Sequence, residues 1–369
     1  MAAYSDMPKL GGSLKVASVQ ELAKTNLSSL PPRYVRPEQH PPFITSISSN
    51  SSLEKNKIPV IDLQKLLSPL DDDDHHHLIM DSELHNLDFA CREWGFFQLI
   101  NHGVSSSLVE KLKQEIEEFF NLPIEEKMRY EQEEGDLQGY GQAFVLSEEQ
   151  KLDWGDMFYL AFSPTYMRKP HLLPKLPPPL RESLEEYSSE LKKLGMKILN
   201  QMAKALGMKV EEMKVLFEEG IQGMRMNYYP PCPQPELAIG LCPHSDAIGL
   251  TILLQFNDVE GLQVRKHGIW VPVSPLPNAF VINVGDILEI ITNGVYKSVE
   301  HRATVNKDKK RLSLATFLSP KLEGDFGPAL SLIGSENPPK FKRIGVQDYF
   351  RGFYTRKLDG KSYLDSMRI

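Results

Sequence analysis

Three features of the chain predict an α+β fold with a double-stranded β-helix, or jelly-roll, core flanked by helices. From Ile221 onward the sequence breaks into short, turn-bounded strands, the grammar of a jelly roll. Upstream, apolar residues recur at three- and four-residue spacing, so helices dominate there. Between the two, the Pro-rich run from Lys175 to Pro179 marks a boundary. The expected units are an N-terminal arm (1–55), a mixed α/β N-terminal region (56–175), connecting helices (176–220), the β-helix core (221–320) and a helical tail (321–369).

The arm is rich in Ser, Pro and Asn, with one short helical pattern from Val19 to Ala23, and a loose stretch is expected near Ser46 to Asn56. Pro59 to Leu63 reads as a short buried strand. Asp71 to Asp74 and His75 to His77 form a charged run that reads as a solvated loop. From Asp81 the spacing of Leu84, Leu87, Ala90 and Cys91 predicts a helix stopped by Gly95, and Phe96 to Ile100 reads as a strand. His102 follows in the turn Asn101-His102-Gly103, where a histidine is ordinarily a structural hydrogen-bonder. A second helix runs from about Ser107 to Asn121, and a long amphipathic one from Leu184 to near Gly207. The strands of the core are expected at Met224–Tyr229, Gly249–Gln255, Leu262–Arg265, Ile269–Val273, Ala279–Asn283, Ile287–Thr292 and Leu312–Leu318, with a hairpin tip at Lys266-His267-Gly268.

Apolar residues make up 41% and charged residues 25%, ordinary values for a globular chain. A net charge of −7 gives no reason to expect a nucleic-acid partner. The three cysteines Cys91, Cys232 and Cys242 show no disulfide framework, so a reducing compartment is expected. No apolar leader or membrane-length run is present, which makes the cytosol the default and a monomer without membrane contact the expected state.

The chemistry concentrates between Arg225 and Ser313. His244 and Asp246 are two apart, and alternate residues of a strand share a face. With His301 from a later strand they offer two imidazoles and one carboxylate, the open-sided donor set of non-haem Fe(II) oxygenases. Arg311 and Ser313 also share a face, and a guanidinium fork beside a hydroxyl matches the carboxylate of an acidic co-substrate. Asn227 and Tyr229 are a further same-face pair able to supply polar contacts. Cys242 lies two before His244, but a thiolate favours softer metals and Pro243 disturbs the strand. Arg302 points away from His301 by strand parity.

His244-Ser245-Asp246, His301 about fifty residues on, and Arg311-Leu312-Ser313 together resemble the plant 2-oxoglutarate- and Fe(II)-dependent dioxygenases. The resemblance extends over nearly the whole chain, through I-P-V-I-D-L (58–63), E-W-G-F-F-Q-L-I-N-H-G-V (93–104), N-Y-Y-P-P-C-P-Q-P (227–235), N-V-G-D-I-L-E-I (283–290) and the tail 357–369. It is strongest toward the senescence-related group that includes the morphinan alkaloid O-demethylases. What it implies is a jelly roll with helices outside and Fe(II) on His244, Asp246 and His301. It also implies 2-oxoglutarate held by Arg311 and Ser313, with O2 consumed, succinate and CO2 released, and ascorbate in support. The organic substrate would be a small plant metabolite, hydroxylated or O-demethylated; an alkaloid and a phenolic both fit.

The resemblance also places substrate-contacting loops near Tyr140, Phe144 and Phe158, which makes these three candidate pocket residues, although plain core fits them equally. Phe317, on the face of Arg311 and Ser313, and Arg225, at the head of the stretch, are candidates too. Three other readings stay open at this point. A zinc hydrolase shares the donor set but has no use for Arg311 and Ser313. A related oxidase catalysing desaturation or ring closure shares the iron ligands. A non-catalytic binding protein would be expected to lose ligands, and none is lost.

Overall fold

The computed structural model describes residues 13–25, 27–37, 57–67, 74–356 and 360–369, with the side chains of 74–77 left aside. The loose stretch expected at 46–56 lies outside these residues. Twelve strands build two facing sheets: β1 (Val60–Asp62), β2 (Phe96–Ile100), β3 (Gly139–Gly141), β4 (Asp156–Ser163), β5 (Ile221–Tyr229), β6 (Leu241–His244), β7 (Leu250–Gln255), β8 (Leu262–Lys266), β9 (Ile269–Pro272), β10 (Phe280–Val284), β11 (His301–Ala303) and β12 (Arg311–Ser319). The larger sheet runs β1-β2-β10-β7-β12-β5-β4-β3 and the smaller β6-β11-β8-β9. All neighbours are antiparallel except β1 and β2. The result is the expected jelly roll with helices on its outside.

Helices form where the sequence stops and starts them. Ser105 caps the helix Ser106–Asn121 by accepting from the Leu108 amide. Gly95, at φ 60, takes the left-handed position that ends the preceding helical run. The long helix Pro178–Ala205 opens on prolines and lays Leu184, Tyr187, Leu191, Leu194 and Ile198 on the large sheet. It approaches closely at Gly195, where a Cβ would lie 2.0 Å from Leu318 Cδ1. The arm is pinned at Val19–Ala23. Buried Asp156 of β4 accepts from Ser18 Oγ (2.7 Å) and from the amides of Val19 (2.8 Å) and Gln20 (2.9 Å).

Two expectations about elements are corrected. Of the run expected as a solvated loop, Asp71 to Asp73 lie outside the described residues, and 74–77 belong to the helix Asp74–Phe89 and not to a loop, because extending a formed helix by one turn is far easier than starting one. Ile287–Thr292 is not a strand: Asp286–Ile291 is a helix, buried on every side. A run of six residues with only Asp286 and Glu289 among its apolar neighbours is too short to establish a period that would tell the two apart.

Central strands of the large sheet divide their residues strictly. In β4, β5 and β12 the even positions (Phe158, Leu160, Met224, Met226, Leu312, Leu314) pack under the helices. The odd positions (Met157, Tyr159, Arg225, Asn227, Arg311, Ser313, Phe317) line a cavity between the two sheets.

Candidate active site

His244 and His301 face each other across the β6–β11 pair. Asp246 is not the next inward position of β6, because that strand ends at His244. The carboxylate instead arrives from the turn that follows, whose Ser245 amide donates to Gly360 O at 3.2 Å. Asp246 Oδ1 lies 3.4 Å from His244 Nε2 and 3.6 Å from His301 Nε2. One donor atom from each of the three lies within 4.8 Å of the others.

The surroundings prepare these atoms for a metal. His244 Nδ1 is 2.8 Å from Cys242 O, and His301 Nδ1 is 3.2 Å from Val299 O. A carbonyl only accepts, so each Nδ1 carries the proton and each Nε2 keeps its lone pair facing inward. Asp246 Oδ2 accepts from Thr251 Oγ1 (2.5 Å) and Asn283 Nδ2 (2.8 Å), which leaves Oδ1 free for a cation. Burial pushes the Asp246 carboxyl up, but His301, His244 and the Thr251 bond outweigh it and hold it well below the usual carboxylate range. Burial, aided by His244, pushes His301 down to about 4. Both ligands are therefore ready without giving up a proton at neutral pH. Cys242 stands outside the set; its amide donates to Asp153.

Next to the triad, β12 and β5 place Arg311 opposite Tyr229, Ser313 opposite Asn227, and Ala315 opposite Arg225. Arg311 is 3% exposed, donates to Gln255 Oε1 at 3.0 Å and sits 5.4 Å over the Tyr229 ring. Its Nε has no partner, and neither has Asn227 Oδ1. Burial pulls the guanidinium below its ordinary pKa, with Tyr229 opposing. A buried cation with an orphaned donor fits an anionic co-substrate carboxylate.

The cavity above has a volume of about 470 Å³, within the range of small-molecule sites. Its walls include Phe144, Tyr159, Arg225, Phe317, Phe350, Phe353 and Tyr354. Phe144 stacks on Tyr354 at 6.0 Å and 17°. Tyr159 has room because residue 223 is glycine; a Cβ there would meet its hydroxyl at 2.3 Å. Arg225 is half-buried with an unpartnered Nε.

Phe144, Arg225 and Phe317, expected from the sequence, thus line the cavity, but Tyr140 and Phe158 do not. Phe158 is fully buried and stacks on Phe119 at 4.8 Å, on the helix side of β4. Tyr140 is 2% exposed and faces Ser18 and Asp156. Strand parity sends both away from the cavity. Sequence reading missed Tyr159, Phe350, Phe353, Tyr354, Thr251 and Asn283. His102 is structural: it packs 4.2 Å from Phe280 and bonds the loop at Asn278 O and the Val104 amide.

A jelly roll holding two imidazoles and one carboxylate beside a buried guanidinium with an orphaned Nε defines a non-haem iron oxygenase site. Comparison with known proteins agrees: residues 220–320 match the 2OG-Fe(II) oxygenase superfamily, and 58–178 match the N-terminal region of non-haem dioxygenases in morphine synthesis. The chain belongs to this superfamily and is a 2-oxoglutarate-dependent dioxygenase that uses Fe(II). It is 59% identical to oxoglutarate-dependent flavonoid 7-O-demethylase 1 of Ocimum basilicum, over 98% of this chain and 93% of that one. It is 54% identical to thebaine 6-O-demethylase of Papaver somniferum, over 98% of each. The crystal structure of JOX2 in complex with 2OG, Fe and JA aligns with a TM-score of 0.84 at 39% identity, covering 96% of this chain and 98% of that one. Among the described residues no helix is long and apolar enough to cross a membrane.

Proposed function

We propose that the enzyme O-demethylates a flat, methoxylated aromatic plant metabolite of flavonoid size. The observation that carries this reading is the aromatic cavity opening directly onto the triad, with Arg225, whose Nε has no partner, on its wall. Aromatic faces at Phe144, Phe317, Phe353 and Tyr354 suit a planar ring system. Arg225 and the Tyr159 hydroxyl suit its phenolic and carbonyl oxygens. Two relatives named as O-demethylases, one for flavonoids, support the same reaction.

In this reading His244, Asp246 and His301 hold Fe(II), and Arg311 with Ser313 grips the distal carboxylate of 2-oxoglutarate, flanked by Asn227 and Tyr229. Bound Fe(II), with 2-oxoglutarate and O2, supplies the oxidising power and yields succinate and CO2. The cavity walls keep water out and direct the substrate's methoxy carbon toward the triad. Once that carbon is hydroxylated, the hemiacetal collapses to formaldehyde and a free phenol.

The test incubates purified protein with Fe(II), ascorbate, 2-oxoglutarate and a panel of methoxyflavones. Formaldehyde, succinate in equal amount and a product lighter by one CH2 are expected. A product that keeps its methoxy group and gains oxygen overturns the reading.

A further inference from the structure

Glu289 takes no part in the chemistry described above, yet it is a carboxylate 1% exposed inside the helix Asp286–Ile291. Its Oε2 accepts from the Ser298 amide (2.8 Å) and from Lys361 Nζ (2.9 Å), and its Oε1 accepts from Arg368 at 3.1 Å. Both cations belong to the last ten residues of the chain. A buried carboxylate left unpaired is strongly unfavourable, so Glu289 draws this tail down onto the body.

The tail then touches the site twice. Gly360 O accepts the Ser245 amide at 3.2 Å, and residue 360 pairs with His244 as an isolated parallel bridge. Ser245 lies between the ligands His244 and Asp246. Its hydroxyl donates at 3.1 Å to Asp286, one turn before Glu289 on the same helix. Further on, Tyr363 donates to Tyr349 O at 2.6 Å and packs 5.7 Å from Phe353. Tyr349 and Phe353 belong to the helix Val346–Tyr354, whose Phe350, Phe353 and Tyr354 form the cavity wall.

We infer that Glu289 is a positioning residue for the oxygenase reaction: by clamping Lys361 and Arg368 it seats the tail, which fixes the metal-ligand turn from behind and holds the aromatic wall in place. The tail is thereby part of the working site although it supplies no ligand. This inference rests on the iron site and not on the identity of the organic substrate.

The test compares wild type with Glu289→Gln and with the double variant Lys361→Met/Arg368→Met, whose side chains are partly exposed. Three quantities are read: release of bound Fe(II) into ferrozine, succinate formed without organic substrate, and the melting temperature. In such substrate-free turnover, ascorbate in the assay takes the oxidising equivalents. Both variants are expected to release iron about tenfold faster, the scale of losing groups that orient metal ligands. Substrate-free succinate should rise several-fold, while most molecules remain folded. Lys361→Arg, which keeps the ion pair, should release iron at the wild-type rate. Iron release within twofold of wild type in both variants overturns the inference, as does a change that merely follows the unfolded fraction.

Discussion

Asn283 Nδ2 donates to Asp246 Oδ2 at 2.8 Å, while Oδ1 of the same carboxylate faces the two imidazoles. The amide therefore decides which oxygen is offered to iron. Asn283→Ala should lower iron affinity by about 10–100-fold without unfolding the protein. Thr251→Val, which removes the other bond to Oδ2, should act in the same direction. Iron titration beside thermal melting checks both, and wild-type affinity in Asn283→Ala would remove this residue from the site.

In the proposed reading Arg311 supplies the charge that binds the distal carboxylate, with Ser313 beside it on the same strand. Arg311→Ala should raise the 2-oxoglutarate requirement by more than tenfold, since losing a buried charge-assisted partner costs about 2–5 kcal/mol. Iron affinity should barely move. Arg311→Lys should recover only part, because an ammonium lacks the two-pronged geometry of guanidinium. Succinate formation against 2-oxoglutarate concentration gives the answer.

Phe158 and Tyr159 are neighbours in sequence with opposite duties. Phe158→Ala should destabilise the fold by about 3–5 kcal/mol through the cavity it leaves, with little effect on substrate preference among folded molecules. Tyr159→Phe should shift stability by no more than about 0.5 kcal/mol but change relative rates across a substrate panel. Denaturant melts and competitive turnover separate the two.

Asp156 ties the arm to the sheet. Asp156→Ala strands the amides of Val19 and Gln20 and takes one partner from the Ser18 hydroxyl, a loss of about 2–4 kcal/mol given the penalty for unmet buried donors. Proteolysis within the arm should accelerate before the body of the protein is cut. Equal protection in wild type and variant would show that the arm is held elsewhere.

His244, Asp246, His301, Arg311 and Ser313 were legible because each stands out by type and spacing, although Asp246 comes from the turn after β6 and not from a strand. Tyr140 was misplaced because the three-residue β3 is too short to show alternation, and Phe158 for the opposite reason. β4 is covered on both faces, so its residues read as one apolar run without alternation. The helix Asp286–Ile291 hid because six residues are too few to show a helical period. Asn283 did leave a signal, a lone amide inside Phe280–Val284. A polar side chain in an otherwise apolar buried strand needs a partner, and here that partner is the ligand Asp246. Residues from the helix Val346–Tyr354 could not be foreseen, because no local pattern says that a distant helix will roof the cavity.

The odd–even division of β4, β5 and β12 has an evolutionary meaning. Heredity can act on the two sets separately. Point changes at odd positions such as Tyr159, Arg225 or Phe317 are expected to alter which molecule is admitted while leaving the scaffold's stability nearly untouched. Duplicated copies can therefore diverge in diet while inheriting the same oxidation, one substitution at a time. Deletion of a single residue within β4 is the forbidden path, since it would trade wall for core along the rest of the strand and lose both in one step.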